Sequence, residues 1–101
     1  MISFLITHYN RPKSLALCIE SINSLNLKSD YEIIVSDDCS EKSNIELLSK
    51  LRIDKLVLSP TNTGLSSNIN RGLKECIGDF IAYIQEDFAF NKEFKIKESK
   101  I

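Results

Sequence analysis

Ile2-Ser-Phe-Leu-Ile-Thr-His-Tyr-Asn-Arg-Pro12 sets the frame for the chain. Ile2 to Thr7 is apolar and β-prone, and predicts a first strand. The chain then turns polar. Pro12 stands where a helix can begin, because the N–H it lacks has no intrahelical partner in a first turn. Leu15, Cys18, Ile19 and Ile22 recur at i, i+3, i+4 and i+7, the spacing of an amphipathic helix that should fade near Asn26. Strand, polar loop and helix together make the opening unit of a parallel sheet.

The same unit recurs along the chain. Tyr31 to Ser36 predicts a second strand, with the polar loop Asp37-Asp38-Cys39-Ser40 at its carboxyl end. Ser43-Asn-Ile-Glu46 fits a capping box, in which Ser43 caps and Glu46 reaches back, and the helix behind it carries Leu47, Leu48 and Leu51. Lys55 to Leu58 predicts a short third strand, and Ser59-Pro-Thr-Asn-Thr-Gly64 a turn-rich loop. Leu65, Ile69, Leu73 and Cys76 trace a third helical stripe, with Gly78 expected as its C′ residue. Gly72 on that stripe would let the helix sit close to a sheet. Asp79 to Ile84 predicts a fourth strand, and Gln85-Glu86-Asp87 stands at its end.

The alternation is β-α-β-α-β-α-β. It predicts an α/β fold, a Rossmann-like three-layer sandwich with a mainly parallel sheet of about four strands joined by right-handed crossovers. Residues 1–88 form the expected folded unit, and 89–101 read as a C-terminal tail or short helix. Polar clusters follow strands 1, 2 and 4, and the carboxyl ends of parallel strands are where open α/β sheets bind ligands.

Composition narrows the classes of function. The chain has 101 residues, 43% of them apolar and 27% charged, as expected of one globular domain. Its net charge of -1 gives no general pull toward nucleic acid or anionic lipid. No apolar run approaches the ~20 residues of a membrane helix, and Met1 to Arg11 lacks the basic leader of a secretion signal. Three cysteines without C-x-x-C spacing fit a reducing, cytoplasmic setting rather than a disulfide scaffold or zinc site. With His8 the single histidine, histidine-based metal or triad chemistry has little scope. G-x-G-x-x-G, the P-loop and G-x-S-x-G are all absent.

The strand-end residues each admit two readings. Asp37 and Asp38 are adjacent, so in extended chain they point to opposite sides. One can accept from a base or ribose, or the pair can simply cap the next helix. Glu86 and Asp87 can hold a hard divalent cation together with ligand phosphates, or form a solvated turn. Asn62-Thr-Gly64 with Ser66, Ser67, Asn68 and Asn70 can meet an anion, or supply ordinary caps. Tyr9 can stack on a base or pack on the first helix. Cys39 reads as a small packed residue and His8 as a loop hydrogen-bonder.

Four segments in order resemble the amino-terminal half of family 2 glycosyltransferases, of GT-A fold. They are Ile2 to Pro12, Glu32-Ile-Ile-Val-Ser-Asp-Asp-Cys-Ser40, Asn62-Thr-Gly64 with Asn70-Arg-Gly72, and Gly78-Asp-Phe-Ile-Ala-Tyr-Ile-Gln-Glu-Asp87. The resemblance implies a truncated GT-A domain that binds a nucleotide-diphosphate sugar, with a UDP-sugar the expected donor, for glycan or polysaccharide synthesis. It places Thr7 and Tyr9 in the nucleotide pocket, with Asn10, Arg11, Asn62, Gly64 and Asn70 as further nucleotide-binding positions. It makes Asp38 the reader of the base, sets Glu86 near the ribose, and makes Asp87 the ligand of Mn²⁺ or Mg²⁺. Two positions depart from the family pattern. Gln85 replaces the first acid of the D-x-D motif, and Ile69 stands where the family often has an arginine that contacts phosphate or base.

An inverting transfer needs a base for the acceptor hydroxyl, and no residue after Asp87 matches one, so no catalytic residue is assigned. The chain alone is expected to bind donor with little or no transfer. Open sheet edges invite pairing, so a homodimer is expected through the exposed edge or the C-terminal segment, with Phe88, Phe90 and Phe94 as contacts. Attachment to a membrane through a partner is compatible with a cytoplasmic location. The alternative is a non-catalytic dimerising or partner-binding module that keeps the fold only. A receiver-like phosphoacceptor domain fits less well, because the acid pair follows strand 2.

Overall fold

The computed structural model describes residues 1–88. The expected tail or short helix over 89–101, with Phe90 and Phe94, lies outside the described residues. Four strands alternate with three helices: β1 Ile2–His8, α1 Pro12–Asn23, β2 Tyr31–Asp37, α2 Lys42–Leu48, β3 Lys55–Leu58, α3 Leu65–Leu73 and β4 Phe80–Gln85. The sheet order is β3-β2-β1-β4, and every pairing is parallel. The expected α/β sandwich with a parallel four-stranded sheet is the observed architecture.

The period-two alternation of a strand divides the sheet into two faces. Ile2, Phe4 and Ile6 of β1 lie beside Tyr31, Ile33 and Val35 of β2, and point to one side. Against them pack Leu15, Cys18, Ile19 and Ile22 of α1 and Leu48 of α2. This is the apolar core, and each fully buried Leu, Ile or Phe adds roughly 1.5–3 kcal/mol of burial free energy. Ser3, Leu5 and Thr7 point to the other side, beside Glu32, Ile34 and Ser36. Here α3 lies on β1 and β2. Gly72 permits its close approach: a Cβ there would overlap Leu5 Cδ1 and lie 3.1 Å from Ser36 Cβ.

Several local expectations need correction. Ser43 lies inside α2 rather than capping it, and the N-cap position is Glu41, whose side chain makes no cap bond. The helix end is held from outside, by Asn10 Oδ1 accepting the Glu41 N–H at 2.7 Å and Asn44 Nδ2 at 3.0 Å. A tertiary partner has replaced the local box. Gly78 is not a C′ residue either, because α3 ends at Leu73 with Lys74 as its C-cap. Its role is steric: a Cβ would fall 2.6 Å from Ser3 Oγ and 2.8 Å from the Met1 carbonyl oxygen. α1 ends at Asn23, short of Asn26, while β1 and β2 run on to His8 and Asp37. β4 starts at Phe80, leaving Asp79 to pair with the Met1 amino group at 3.2 Å. The α3 stripe is also rotated: its buried residues are Asn68 and Gly72, while Leu65 and Leu73 are exposed.

A polar staple closes the amino end of the sheet. Glu32 is buried and accepts hydrogen bonds from Ser3 Oγ at 2.5 Å and the Ile77 N–H at 2.8 Å, with Lys55 Nζ 3.2 Å away. Burial pushes its carboxyl up, and these donors more than reverse that, leaving it below the ordinary glutamate range. Among the described residues β4 is an edge of the sheet, with Phe80, Ile81 and Tyr83 exposed. Among the described residues no helix is long and apolar enough to cross a membrane.

Candidate functional site

The carboxyl ends of β1, β2 and β4 lie side by side, as the register of Thr7 with Ser36 and Gln85 requires. Loops leaving these ends carry most of the candidate residues. Two non-glycine residues there have left-handed backbone, Asn10 with φ 51° and Cys39 with φ 64°. Such conformations are uncommon outside glycine and need surrounding structure to hold them.

A buried network provides that support. His8 Nδ1 lies 2.7 Å from Asp37 Oδ1, and both side chains are fully buried. The Arg11 N–H points at His8 Nε2 at 3.0 Å. Nε2 must therefore offer a lone pair, and the ring carries its proton on Nδ1, facing Asp37. Asp37 also accepts the Ser40 hydroxyl at 2.5 Å and the Ser40 N–H at 2.9 Å. Ser40 Oγ in turn accepts the Asn10 N–H at 2.8 Å. Burial pushes the Asp37 carboxyl up, and the bonds from His8 and Ser40 pull it below the ordinary range. His8 thus makes the loop hydrogen bonds expected of it. Asp37, which could have faced solvent or a helix end, is consumed inside the fold.

Asp38 points the other way, as adjacent residues of extended chain should. Its Oδ1 accepts the Thr63 N–H at 2.9 Å, the Thr63 hydroxyl at 3.0 Å and Arg71 Nη2 at 3.1 Å. Its Oδ2 accepts the Gly64 N–H at 2.9 Å. Burial alone would push the Asp38 carboxyl up, and these donors hold it below the ordinary aspartate range. Arg71 also donates to Thr63 Oγ1 at 2.6 Å and to Asn68 Oδ1 at 3.2 Å. Buried Asn68 is anchored by Ser36 Oγ, 2.7 Å from its Oδ1. Gly64, at φ 89°, turns the loop into α3 in a conformation that glycine adopts freely.

The remaining candidates differ in exposure. Thr7 is buried, with Oγ1 3.0 Å from the Tyr83 hydroxyl. Tyr9 is exposed beside it in sequence, its ring available for contact. Glu86 lies in the turn after β4, with Oε1 4.0 Å from Arg11 Nε. Asp87 is exposed and makes no ion pair or hydrogen bond among the described residues. The side chains of Asn62 and Asn70 are also exposed and make no hydrogen bond among them. Thr7 to Arg11, Asp38, Gly64, Glu86 and Asp87 thus belong to one edge, whereas Asn70 stands on the outer surface of α3.

Thr63 and Arg71 were missed by sequence reasoning. A signal existed: a carboxylate at a buried strand end needs a partner, and α3 carries an arginine. Burial and the carboxylates of Glu86 and Asp87 push the Cys18 thiol up to about 11, which disfavours a reactive thiolate at that position. No group of three or more His, Cys, Asp or Glu among the described residues is arranged to hold a metal ion. Asp87 still fits a cation of the Mg²⁺ type, which takes one or two protein carboxylates and completes its shell with phosphate and water.

Comparison with known proteins gives a consistent picture. The model of the family described as glycosyl transferase family 2 matches residues 3–98. Poly(ribitol-phosphate) β-N-acetylglucosaminyltransferase TarS of Staphylococcus aureus is 26% identical over 98 residues, covering 90% of this chain and 17% of its own length. GalNAc(5)-diNAcBac-PP-undecaprenol β-1,3-glucosyltransferase of Campylobacter jejuni is 32% identical over 91 residues, covering 85% of this chain and 29% of its own. The crystal structure of S. aureus TarS 1–349 in complex with UDP-GlcNAc superposes with a TM-score of 0.79 at 27% identity, over 91% of this chain and 28% of that one. A mannosyltransferase of Pyrobaculum calidifontis, solved with GDP-Man and Mn²⁺, has a TM-score of 0.76 over 85% of this chain and 27% of that one; at 17% identity it speaks for the fold alone. The chain spans less than a third of the length of the relatives it matches.

Proposed function

The chain belongs to glycosyl transferase family 2, and on that premise we propose that its carboxyl edge is the donor site for a nucleotide-diphosphate sugar. The donor is a UDP-sugar, used for sugar transfer in glycan or polysaccharide synthesis. One observation carries the reading: three separate strand ends deliver Tyr9, Asp38 and the Glu86-Asp87 turn to the same edge. TarS, of similar fold, was solved with UDP-GlcNAc, which supports the choice of donor.

In this reading Tyr9 stacks on the base, and Asp38 accepts an N–H from it. Thr7, Asn10, Arg11, Asn62 and Gly64 line the nucleotide path, Glu86 faces the ribose, and Asn70, on the outer surface of α3, is left out of the site. Asp87 would hold Mn²⁺ or Mg²⁺, with Gln85 as a neutral neighbour, and a bound ion would supply positive charge against the diphosphate of the donor. The His8–Asp37–Ser40 network keeps the Asn10 loop in place before donor arrives, so little ordering is left for binding to bring about. For these 101 residues the proposed activity is donor binding with little or no transfer. The exposed residues of β4 support a homodimer through that edge.

Calorimetric titration of UDP with and without Mn²⁺ tests this, on the wild type and Asp87→Ala. Metal-dependent binding that the variant loses is the expected result. A well-folded wild type that binds no UDP would overturn the donor site and leave a partner-binding module as the reading.

A further inference from the structure

We propose that Arg71 is a positioning residue of the donor site, closing Asp38 Oδ1 together with Thr63 so that Oδ2 is left as a single acceptor for the base. This deepens the donor-site reading above and rests on it. A carboxylate oxygen offers two lone pairs. Oδ1 already takes three donors, from the Thr63 amide, the Thr63 hydroxyl and Arg71. Oδ2 takes one, from Gly64, which leaves one lone pair. Uracil matches that vacancy with its lone N3–H donor. Cytosine presents an acceptor at the same place, and guanine presents N1–H and N2–H side by side, which needs both oxygens. The occupancy of Asp38 therefore selects an imide edge.

Arg71 is built for this role by its own supports. Its guanidinium reaches the loop at Thr63, the end of β2 at Asp38 and its own helix at Asn68. Asn68 is buried and fixed by Ser36, and Gly72, the next residue along α3, seats the helix on the sheet. The arginine stands two positions beyond Ile69, so the cation comes from a different part of α3 than the family pattern implies. A planar, permanently charged group holds Thr63, Asp38 and Asn68 at fixed directions from one another as a flexible ammonium cannot.

The test is calorimetric titration of UDP, CDP and GDP, with Mn²⁺, into the full chain. Wild type, Arg71→Met, Arg71→Lys and Thr63→Val are compared, and melting temperatures are recorded alongside. Wild type should prefer UDP. Arg71→Met should weaken UDP about tenfold, the loss of one charge-assisted bond, and leave CDP almost unchanged, so that the preference collapses. Arg71→Lys should restore part of it. Thr63→Val, which removes a donor from the same oxygen, should shift the preference in the same direction, and decides the matter should Arg71→Met fail to fold. Equal weakening of UDP and CDP would make Arg71 merely structural and overturn the proposal. An unchanged preference in the variants would do the same. A wild type that binds no nucleotide would overturn the donor-site reading itself, and this inference with it.

Discussion

Gly72→Ala sets two known effects against each other. In a helix, alanine is favoured over glycine by about 0.8–1.0 kcal/mol. Here the new methyl would overlap Leu5 Cδ1 and stand 3.3 Å from Leu5 Cγ and 3.1 Å from Ser36 Cβ. Leu5 is fully buried in the middle of β1, between Ile34 and Tyr83 on the neighbouring strands. Full burial restricts its movement, and Ser36 Cβ is fixed to the strand backbone. Overpacking of this kind costs about 1–3 kcal/mol. The net expectation is a loss of up to about 2 kcal/mol once the propensity gain is subtracted. For a domain of this size 1 kcal/mol moves the midpoint by roughly 4–8 °C, so Tm should fall by up to about 15 °C. Thermal unfolding followed by circular dichroism reads it directly. Leu5→Val in the Gly72→Ala background trims the obstructing side chain, so the double variant should lose less than the sum of the two singles. A Tm for Gly72→Ala above wild type would refute the reasoning, because propensity would then dominate and α3 would not be seated as tightly as the geometry implies.

Asp37→Ala strands the His8 Nδ1–H and both Ser40 donors in a buried site, and should cost about 3–5 kcal/mol in urea unfolding; a loss under 1 kcal/mol would mean that water replaces the carboxylate. Glu32, Asp37 and Asp38 all have folded pKa values below their unfolded ones. Their stabilising effect is therefore complete above the unfolded values and is lost as pH falls through the folded ones. The urea midpoint should hold steady from pH 7 to about 5 and drop progressively below that. A flat midpoint down to pH 3 would contradict those three environments. Sedimentation velocity should find a dimer at tens of micromolar protein, and a monomer at all concentrations would rule out pairing through β4.

Features governed by local periodicity were legible in the sequence, and features governed by distant partners were not. Leu15, Cys18, Ile19 and Ile22 announce the buried face of α1 because one helix meets one continuous apolar sheet. The strand ends announce the site because polar residues interrupt apolar runs at three places that a parallel sheet must align. The capping of α2 was hidden, since its acceptor is Asn10, 31 residues before the Glu41 amide it holds. Ser43 offered a plausible local cap, and the tertiary one prevailed. The role of Gly78 was hidden for a similar reason: the close neighbours that exclude a side chain are Met1 and Ser3, at the far end of the chain. The apolar stripe of α3 misled because its contact seam runs through Asn68 and Gly72. At about 100° per residue, Ile69 and Leu73 are turned away from that seam. The buried face of α3 follows where a small residue permits contact, and its partners there are Ser36 and Leu5 rather than a second apolar layer.

On the proposed donor-site reading, Asp37 and Asp38 divide stability from recognition. They are chemically identical neighbours, and strand geometry sends them to opposite sides. Asp37 faces His8 and Ser40, where its bonds fix the Asn10 loop and leave nothing for a ligand. Asp38 faces the loop ahead of α3, where its donors leave one oxygen half-free. The two faces of the sheet repeat the division. The α1–α2 side is apolar and close-packed, so its substitutions should act on stability. The α3 side is held by serine, asparagine, arginine and glycine, whose hydrogen bonds set directions as well as distances. On the proposed donor-site reading, substitutions at Thr63 and Arg71 should act first on which base is bound, those at Gly72 on stability, and those at Asp37 on both, since its partners span the core and the loop.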